Sequence, residues 1–137
     1  YCVDSTLFDE YPNVDYLGIL SRRELFFHMA ACKGVLFLSK MYEGMPMTIL
    51  EAFAHRKAVI ARNQGAMCEM IDHGKNGFLY DDQKELIQAV VDLENENRCK
   101  TMGSEAYRSY STHYDEEKAY LNIRSVYDNV LHKELRS

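Results

Sequence analysis

Two short apolar runs constrain the fold of this chain more than any other feature of its sequence. Residues 34–39 (GVLFLS) and 57–61 (KAVIA) are rich in β-formers and lack polar alternation, as is typical of strands covered on both faces of a parallel sheet. Residues 14–20 (VDYLGIL) and 77–80 (GFLY) are further strand candidates. Helical patterns separate these runs, so the predicted fold class is α/β, with a doubly wound, mostly parallel sheet and flanking helices.

Capping signals mark the first two predicted helices. Ser21 and Glu24 can form a capping box before a helix over residues 22–32. Pro46 suits the first turn of a second helix, which reaches about Ala54, because its missing N–H would be unpaired there anyway. The predicted apolar face of the first helix has four members: Leu25, Phe26, Met29 and Ala30.

Later helices follow the last strand candidate. Asp81 or Asp82 can cap a helix over residues 85–93. From about Ser104 the pattern is helical to the end, with a break at residues 111–113. The predicted buried stripe of the helix over residues 85–93 has five members: Leu86, Ile87, Val90, Val91 and Leu93.

The last helical segment is rich in tyrosine. Tyrosine combines apolar area with a polar tip, so this helix could dock on another domain. Packing against its own domain is the favoured expectation.

Length and charge limit the classes of function. The 137 residues fit one domain, 1–137. Sixteen Lys and Arg against 21 Asp and Glu give a net charge of −5, which argues against a broad nucleic-acid-binding surface. No apolar run approaches the roughly 18–20 residues of a membrane span, and the first residues do not resemble a signal peptide. A cytoplasmic location is therefore expected.

Neither the cysteines nor the histidines predict a metal site. Cys2, Cys32, Cys68 and Cys99 form no Cys-x-x-Cys pair, and the five histidines have no metal-ligand spacing. Reduced, buried thiols are the favoured interpretation of the cysteines. His73 is expected to be a polar turn residue.

The loop after the first apolar run is the predicted ligand site, because doubly wound sheets bind ligands at the carboxyl ends of their strands. A helix start directs free N–H groups and partial positive charge at one spot, which suits a phosphate. Gly44 permits close backbone approach, and Pro46 has no N–H to offer. The backbone amides that remain near the helix start are those of Met45, Met47 and Thr48.

Two glutamates flank this predicted phosphate site. Glu43 lies in the loop, and Glu51 lies nearly two turns into the helix. Carboxylates are good acceptors for sugar or ribose hydroxyls, so the pair could hold a nucleotide sugar at both ends. On charge alone, two solvated surface glutamates are the more common state.

The loop and its surroundings resemble a known family. Residues 39–61 (SKMYEGMPMTILEAFAHRKAVIA) are similar to the signature of the group 1 retaining glycosyltransferases, including the spacing of the two glutamates. Residues 14–25 resemble the family's preceding strand, turn and helix, and residues 63–82 resemble its later glycine turn, glutamate and strand. Residues 110–131 resemble its final tyrosine-bearing helix, so the resemblance covers nearly all of the chain.

The resemblance implies a fold and a set of site residues. The chain would be the Rossmann-like C-terminal, donor-binding domain of a two-domain, GT-B type enzyme. Glu43 would face the donor sugar and serve as the catalytic, donor-positioning residue, while Glu51 would face the ribose hydroxyls. The backbone of residues 44–48 would lie close to the sugar and diphosphate. Gly65, Ala66 and Glu69 match a segment near the nucleotide, and an ordinary glycine turn followed by a short helix remains the alternative for them.

The resemblance also implies a reaction and its partners. A sugar would move from a nucleotide-diphosphate sugar to an acceptor hydroxyl with retention, as in hexosyltransferases of cell-envelope or capsular polysaccharide synthesis. No cofactor or metal is expected, and no Asp-x-Asp motif occurs. An acceptor glycan or lipid-linked sugar would bind through an N-terminal domain. The full-length protein could associate peripherally with a membrane.

Part of the family pattern has no counterpart in this sequence. An arginine and lysine that neutralise the donor diphosphate would come from a strand and helix before Tyr1, so the chain is expected to be a partial domain that is inactive alone. Arg56 and Ala58 stand where the family often has glycine and proline, and the turn at Arg56 is expected to differ in shape. The alternatives are a nucleotide-sugar epimerase or phosphorylase of the same architecture, or a non-catalytic nucleotide-binding module.

Overall fold

The sheet is parallel and carries helices on both faces. The computed structural model describes residues 10–134, with side chains to residue 131. Its three strands, in the order β1-β2-β3, are β1 (Gly34–Phe37), β2 (Ala58–Arg62) and β3 (Gly77–Tyr80). Val35 pairs with Val59, and Ile60 pairs with Phe78. The predicted α/β class and three of the four strand predictions are confirmed.

Helices connect and follow the strands. Their bounds are α1 (Arg22–Ala31), α2 (Met47–Ala54), α3 (Met67–Met70), α4 (Gln83–Glu94), α5 (Glu96–His113) and α6 (Glu116–Glu134). The capping box of Ser21 and Glu24 is present at α1, and Asp82 caps α4 by accepting from the amides of Lys84 and Glu85. Pro46 is the N-cap of α2, so the helix begins one residue later than predicted.

Alternate residues of β2 supply the two halves of the core. Val59 and Ala61 pack in a cluster with residues of α1, α2, α3 and α5, whereas Ala58 and Ile60 pack in a second cluster with residues of β3, α4 and α5. All four of these side chains are at most 1% exposed. This burial on both faces explains why the run has no polar alternation.

The prediction of a strand over residues 14–20 is wrong. These residues form loop backbone with a bend at Ile19. A hydrogen bond from the Val14 amide to the Tyr11 carbonyl closes the turn before them, and Gly18 is left-handed, with φ +68°. Ile19 is fully exposed. A strand is stabilised by hydrogen bonds to a neighbouring strand, and in the described residues no strand pairs with this segment.

The predicted buried stripes of α1 and α4 are too wide. In α1 only Met29 is buried, Phe26 is half-buried, and the other two predicted residues are exposed. In α4 the buried residues are Ala89 and Leu93, and Leu86 packs at the edge of the core. The three members of its predicted stripe that remain exposed are Ile87, Val90 and Val91. A three-stranded sheet offers each helix a narrow apolar surface.

The C-terminal region is helical as predicted, but the bounds of its helices and the packing of the last helix differ from the prediction. Asn95 caps α5 well before the predicted start at Ser104, and the break lies at Tyr114 and Asp115, just after the predicted one. Between Tyr120 and Leu131, the large apolar side chains of α6 are all more than half exposed. The expectation that this helix packs on its own domain is therefore wrong within residues 10–134.

The turn after α2 is left-handed although its residue is arginine. Arg56 has a φ of 59°, and its guanidinium lies 4.0 Å from the ring centroid of Tyr107 on α5. Gly103 of α5 packs directly against the Arg56 carbonyl. The expected difference in the shape of this turn is absent from φ, because Arg56 adopts the left-handed φ that is usual for glycine. The contacts of Arg56 with α5 accompany this conformation.

Candidate functional site

Ser39 organises the loop between β1 and α2. Its hydroxyl accepts a hydrogen bond from the Met41 amide at 3.2 Å and donates to Oε1 of Glu43 at 3.4 Å. The loop therefore returns towards the end of β1, and the half-buried Glu43 carboxylate is held at the carboxyl edge of the sheet. Ligands of doubly wound sheets bind at this edge.

The segment after β2 packs against the same loop. Gly65 is left-handed, with φ +54°, and a Cβ on it would lie 3.3 Å from the ring of Tyr42 and 3.6 Å from the carbonyl oxygen of Glu43. Gln64 Nε2 donates to the carbonyl of Met41 at 3.0 Å. The structure thus brings together Glu43 and Gly65, which the sequence placed in separate motifs.

Ala66 is half-buried and precedes α3. Its carbonyl accepts from the amides of Glu69 and Met70, so this segment is also a glycine turn leading into a short helix. The geometry is compatible with both interpretations of Gly65 and Ala66.

The N-terminus of α2 is open. Within the described part of the chain no side chain caps it, and its first turn contains no acidic residue. Met45 is 55% and Met47 is 56% exposed, Thr48 is also exposed, and a Cβ added to Gly44 would meet no atom within 4 Å. The amides of this helix start are therefore accessible to an anionic ligand.

Glu51 has a partner that the sequence did not indicate. Its Oε1 lies 3.7 Å from Nη2 of Arg22 in α1, and its side chain is only 24% exposed. The guanidinium of Arg22 also lies 5.2 Å from the ring centroid of Phe26. No local sequence signal links α1 to α2, so only their packing could reveal Arg22 as a neighbour of the site.

Three further polar residues have ordinary structural roles. Nδ1 of His73 accepts a hydrogen bond from the Leu79 amide at 3.1 Å, as expected of a turn residue. Lys75 forms an exposed ion pair with Asp72 at 2.8 Å, and Lys40, beside the loop, is exposed.

Within residues 10–134, neither the cysteines nor a cluster of metal-binding side chains adds a further candidate functional group. Three cysteines are free thiols: Cys32, Cys68 and Cys99. The first and last are half-buried, but Cys68 is exposed, contrary to the expectation of burial. Cys2 lies outside the described residues. Over residues 10–134, no group of three His, Cys, Asp or Glu side chains could hold a metal ion.

Comparison with known proteins decides the family. A family model described as glycosyl transferases group 1 matches residues 4–96, more than half of the chain. The chain belongs to the group 1 glycosyltransferases. The family resemblance seen in the sequence is confirmed.

Curated relatives of this glycosyltransferase are longer proteins. A probable sucrose-phosphate synthase of Thermosipho melanesiensis is 29% identical over 79% of the chain, which corresponds to 26% of that protein. An uncharacterized glycosyltransferase of Methanocaldococcus jannaschii is 30% identical over 86% of the chain and 34% of its own length. The chain thus spans about a quarter to a third of these relatives.

Solved structures share the fold. HepE of Anabaena in complex with UDP-glucose has a TM-score of 0.76 and 27% identity over 90% of this chain and 34% of its own. Sucrose-phosphate synthase of Thermosynechococcus elongatus has a TM-score of 0.78 over 93% of this chain and 33% of its own, and at 20% identity it supports the fold alone. In the described residues, no helix is both long and apolar enough to cross a membrane.

Proposed function

We propose that this glycosyltransferase chain binds the donor of a reaction that transfers a sugar from a nucleotide-diphosphate sugar to an acceptor hydroxyl with retention. One observation carries the proposal: Gly65 packs against the backbone of Glu43 beside the open start of α2. Solved structures of HepE in complex with UDP and with UDP-glucose, 28% and 27% identical to this chain, support a nucleotide sugar as ligand.

The diphosphate is assigned to the start of α2. Its amides point out of the helix and have no side-chain cap among residues 10–134, so the helix dipole and free N–H groups favour an anion there. Gly44 leaves open space beside them. The backbone of residues 44–48 is thus the proposed diphosphate and sugar contact, and Gly65, which packs on the Glu43 loop, is assigned to the same site together with Ala66.

The two glutamates are assigned different parts of the donor. Glu43, held by Ser39, accepts hydrogen bonds from the sugar hydroxyls and positions the donor. Glu51 accepts from the ribose hydroxyls. Its contact with Arg22 is long for a hydrogen bond, at 3.7 Å, so the carboxylate retains free acceptor positions for the ribose.

The chemistry of the step sets what the protein must stabilise. The bond from the anomeric carbon to the β-phosphate oxygen breaks, the bond from that carbon to the acceptor oxygen forms, and the acceptor proton leaves with the nucleoside diphosphate. Negative charge develops on the phosphate, and oriented amides stabilise it without a covalent step. We assign Glu43 an orienting role and not that of a nucleophile.

The acceptor side is assigned to residues outside this chain. The chain covers about a third of the HepE structure, so we propose that it is a donor-binding domain and that the remaining part of a longer protein supplies the acceptor domain and an Arg/Lys pair for the diphosphate. Cell-envelope polysaccharide synthesis at the inner face of the membrane is the proposed setting. Turnover is then expected only from the longer protein.

Isothermal titration calorimetry of the full-length protein tests donor binding. UDP, GDP and ADP, each free and linked to glucose, are titrated into wild type and into Glu43→Ala, Glu51→Ala and Glu117→Ala. Glu51→Ala should weaken all ligands of the preferred base, Glu43→Ala should weaken chiefly the glucose-bearing one, and Glu117→Ala, at the exposed start of α6, should change neither. Absence of nucleotide binding by wild type would refute the proposal.

Product analysis separates the enzyme classes. A new glycosidic linkage with the donor's anomeric configuration supports a retaining transferase. Interconversion of free nucleotide sugars would indicate an epimerase, and an inverted linkage would exclude retention. Nucleotide binding with no turnover by the full-length protein would favour a non-catalytic module.

A further inference from the structure

The last helix, α6, presents a wide apolar face to solvent. At about 100° per residue, six of its large apolar side chains fall within an arc of roughly 140° around the helix axis. Each of the six is more than half exposed, from 52% at Val130 to 67% at Tyr127. A stripe of this width is typical of a helix that packs on a core. The α6 apolar face consists of Tyr120, Ile123, Val126, Tyr127, Val130 and Leu131.

The polar side of α6 contacts its own domain. Lys118 lies on that side, and its Nζ donates to the Ser111 carbonyl of α5 at 2.7 Å. Tyr114, just before α6, packs against the core. The start of α6 is therefore tied to the domain, while no other helix or strand of the described residues packs extensively on the rest of it.

The charges of α6 do not suit a membrane surface. Residues 116–131 include three acidic and two basic side chains. Both basic groups already have partners, since Lys118 bonds to α5 and the Arg124 guanidinium lies 3.8 Å from the Asp128 carboxylate. Helices that lie on anionic lipid are rich in Lys and Arg on the polar face. A protein surface therefore matches α6 better than a lipid surface does.

The apolar pattern does not suit a coiled coil between two copies of the chain. An a/d repeat runs from Tyr120 to Val130, about two heptads, whereas coiled-coil patterns are sustained over about three to four. Val126 and Leu131 widen the face beyond a narrow a/d seam. The broad surface of a folded domain fits this face better than a second helix.

The longer relatives indicate where such a surface would come from. The chain corresponds to 34% of the Methanocaldococcus glycosyltransferase and to 34% of the HepE chain. A protein of that length would have about two thirds of its residues outside this chain. At about 1.5 Å per residue, residues 116–134 extend roughly 28 Å, close to the diameter of a small domain. The helix is thus long enough to cross one side of a neighbouring domain.

We propose that the α6 apolar face docks on the acceptor domain of the longer protein. The proposal rests on the proposed function, in which a domain outside this chain binds the acceptor. The aliphatic side chains fill an apolar groove of that domain, and the hydroxyls of Tyr120 and Tyr127 form hydrogen bonds at its polar rim. Because the start of α6 is tied to the donor-binding domain, docking of the apolar face fixes the position of one domain relative to the other.

Site-specific photocross-linking of the full-length protein identifies the surface that covers α6. The photoreactive residue p-benzoylphenylalanine replaces Tyr127 on the apolar face or, as the matched control, Asn129 on the polar side. Both proteins are irradiated at low concentration, with and without phosphatidylglycerol vesicles, and the linked peptides are identified by mass spectrometry. The probe at position 127 is expected to link to the acceptor domain of the same molecule, and the probe at position 129 is not.

Other cross-linked products would overturn the docking proposal. A link from position 127 to a second copy, to lipid or to the donor-binding domain itself excludes the acceptor domain as the partner, and so does the absence of any link. The cross-link does not depend on nucleotide binding. A wild type that binds no UDP-glucose would contradict the proposed function instead.

Paired lysine substitutions test the consequence for sugar transfer. Ile123→Lys with Tyr127→Lys adds two charges to the apolar face, and Asn122→Lys with Asn129→Lys adds the same charges to the polar side. All of these positions are exposed, so neither pair should unfold the donor-binding domain.

Transfer to the acceptor found by product analysis, and UDP-glucose affinity, are measured for both pairs in the full-length protein. The first pair is expected to lower kcat/KM for transfer at least tenfold and the second by less than twofold, with UDP-glucose affinity unchanged in both. Unaltered kcat/KM in the first pair, or an equal loss in the second, would count against docking through the apolar face.

Discussion

Arg22 of α1 and Glu51 of α2 meet across the interface between their helices, with Nη2 and Oε1 3.7 Å apart. The arginine side chain is 78% exposed, whereas the glutamate side chain is 24% exposed. An ion pair of this kind contributes about 0–1 kcal/mol to stability. Its consequence is orientation, because it restrains the carboxylate proposed to bind the ribose.

Replacing Arg22 should therefore affect binding more than folding. We expect Arg22→Ala to lower nucleotide affinity by roughly threefold to tenfold, while the free energy of unfolding falls by less than about 1 kcal/mol. Calorimetric titration and denaturant unfolding of the full-length protein measure the two quantities. Arg23→Ala, at the next exposed position of α1, is the matched control, and an equal loss of affinity in it would contradict the role of Arg22.

A side chain at Gly65 should lower the stability of the fold. Its left-handed backbone, φ +54°, costs a non-glycine residue about 1–2 kcal/mol, and a Cβ would crowd Tyr42 at 3.3 Å. Gly65→Ala is expected to lower the free energy of unfolding by about this amount and to weaken UDP-glucose binding as the Glu43 loop shifts.

The control for Gly65 is a glycine of the same site with free space. Gly44→Ala meets no atom within 4 Å and is expected to change the free energy of unfolding by less than about 0.5 kcal/mol. Denaturant melts of both variants should separate them. Equal stability losses would show that the contact between Gly65 and the loop is unimportant.

Gly103 permits the close approach of α5 to the turn at Arg56. A Cβ at this position would collide with the Arg56 carbonyl, and such overpacking costs about 1–3 kcal/mol. Gly103→Ala should thus destabilise the protein although alanine is the better helix former. Ser104→Ala, one residue along the same helix and exposed, should not, and thermal unfolding of the pair checks the difference.

The capping box of α1 should respond to acid. The hydrogen bonds from the Ser21 side chain and backbone hold the pKa of Glu24 below its usual value. A carboxyl whose pKa is lowered in the folded state stabilises the fold above its unfolded pKa, and this contribution is lost as pH falls through the folded pKa.

Wild type should therefore exceed Glu24→Ala in stability at pH 7, and the gap should narrow below about pH 4. Urea midpoints measured from pH 7 to pH 3 give the comparison. Ser21→Ala removes the hydrogen bond that lowers the pKa of Glu24 most. In the Ser21→Ala background, the stability lost on Glu24→Ala should therefore depend less on pH. A gap that widens in acid would contradict the direction of the pKa shift.

Local patterns were sufficient for most elements of the sheet and their caps. Residues 58–61 are apolar without alternation because β2 is buried on both faces, and Asp82 satisfies two amides that any helix start leaves free. Residues 14–20 are also mostly apolar, yet they form no strand. Strand formation depends on a neighbour in space, which a local pattern cannot supply.

The candidate site also has features that the sequence determined and features that only the tertiary structure decided. The sequence by itself determined the chemical types and their order along the chain: a glutamate, a glycine, an open helix start and a second glutamate, because each belongs to one strand, loop and helix. Tertiary structure alone decided that Gly65 packs on the Glu43 loop, that Arg22 faces Glu51, and that α6 leaves its apolar residues exposed. Hydrogen-bonding and helical periodicity act between near neighbours in the chain, whereas these contacts join separate elements whose distance is set only when the sheet and helices pack.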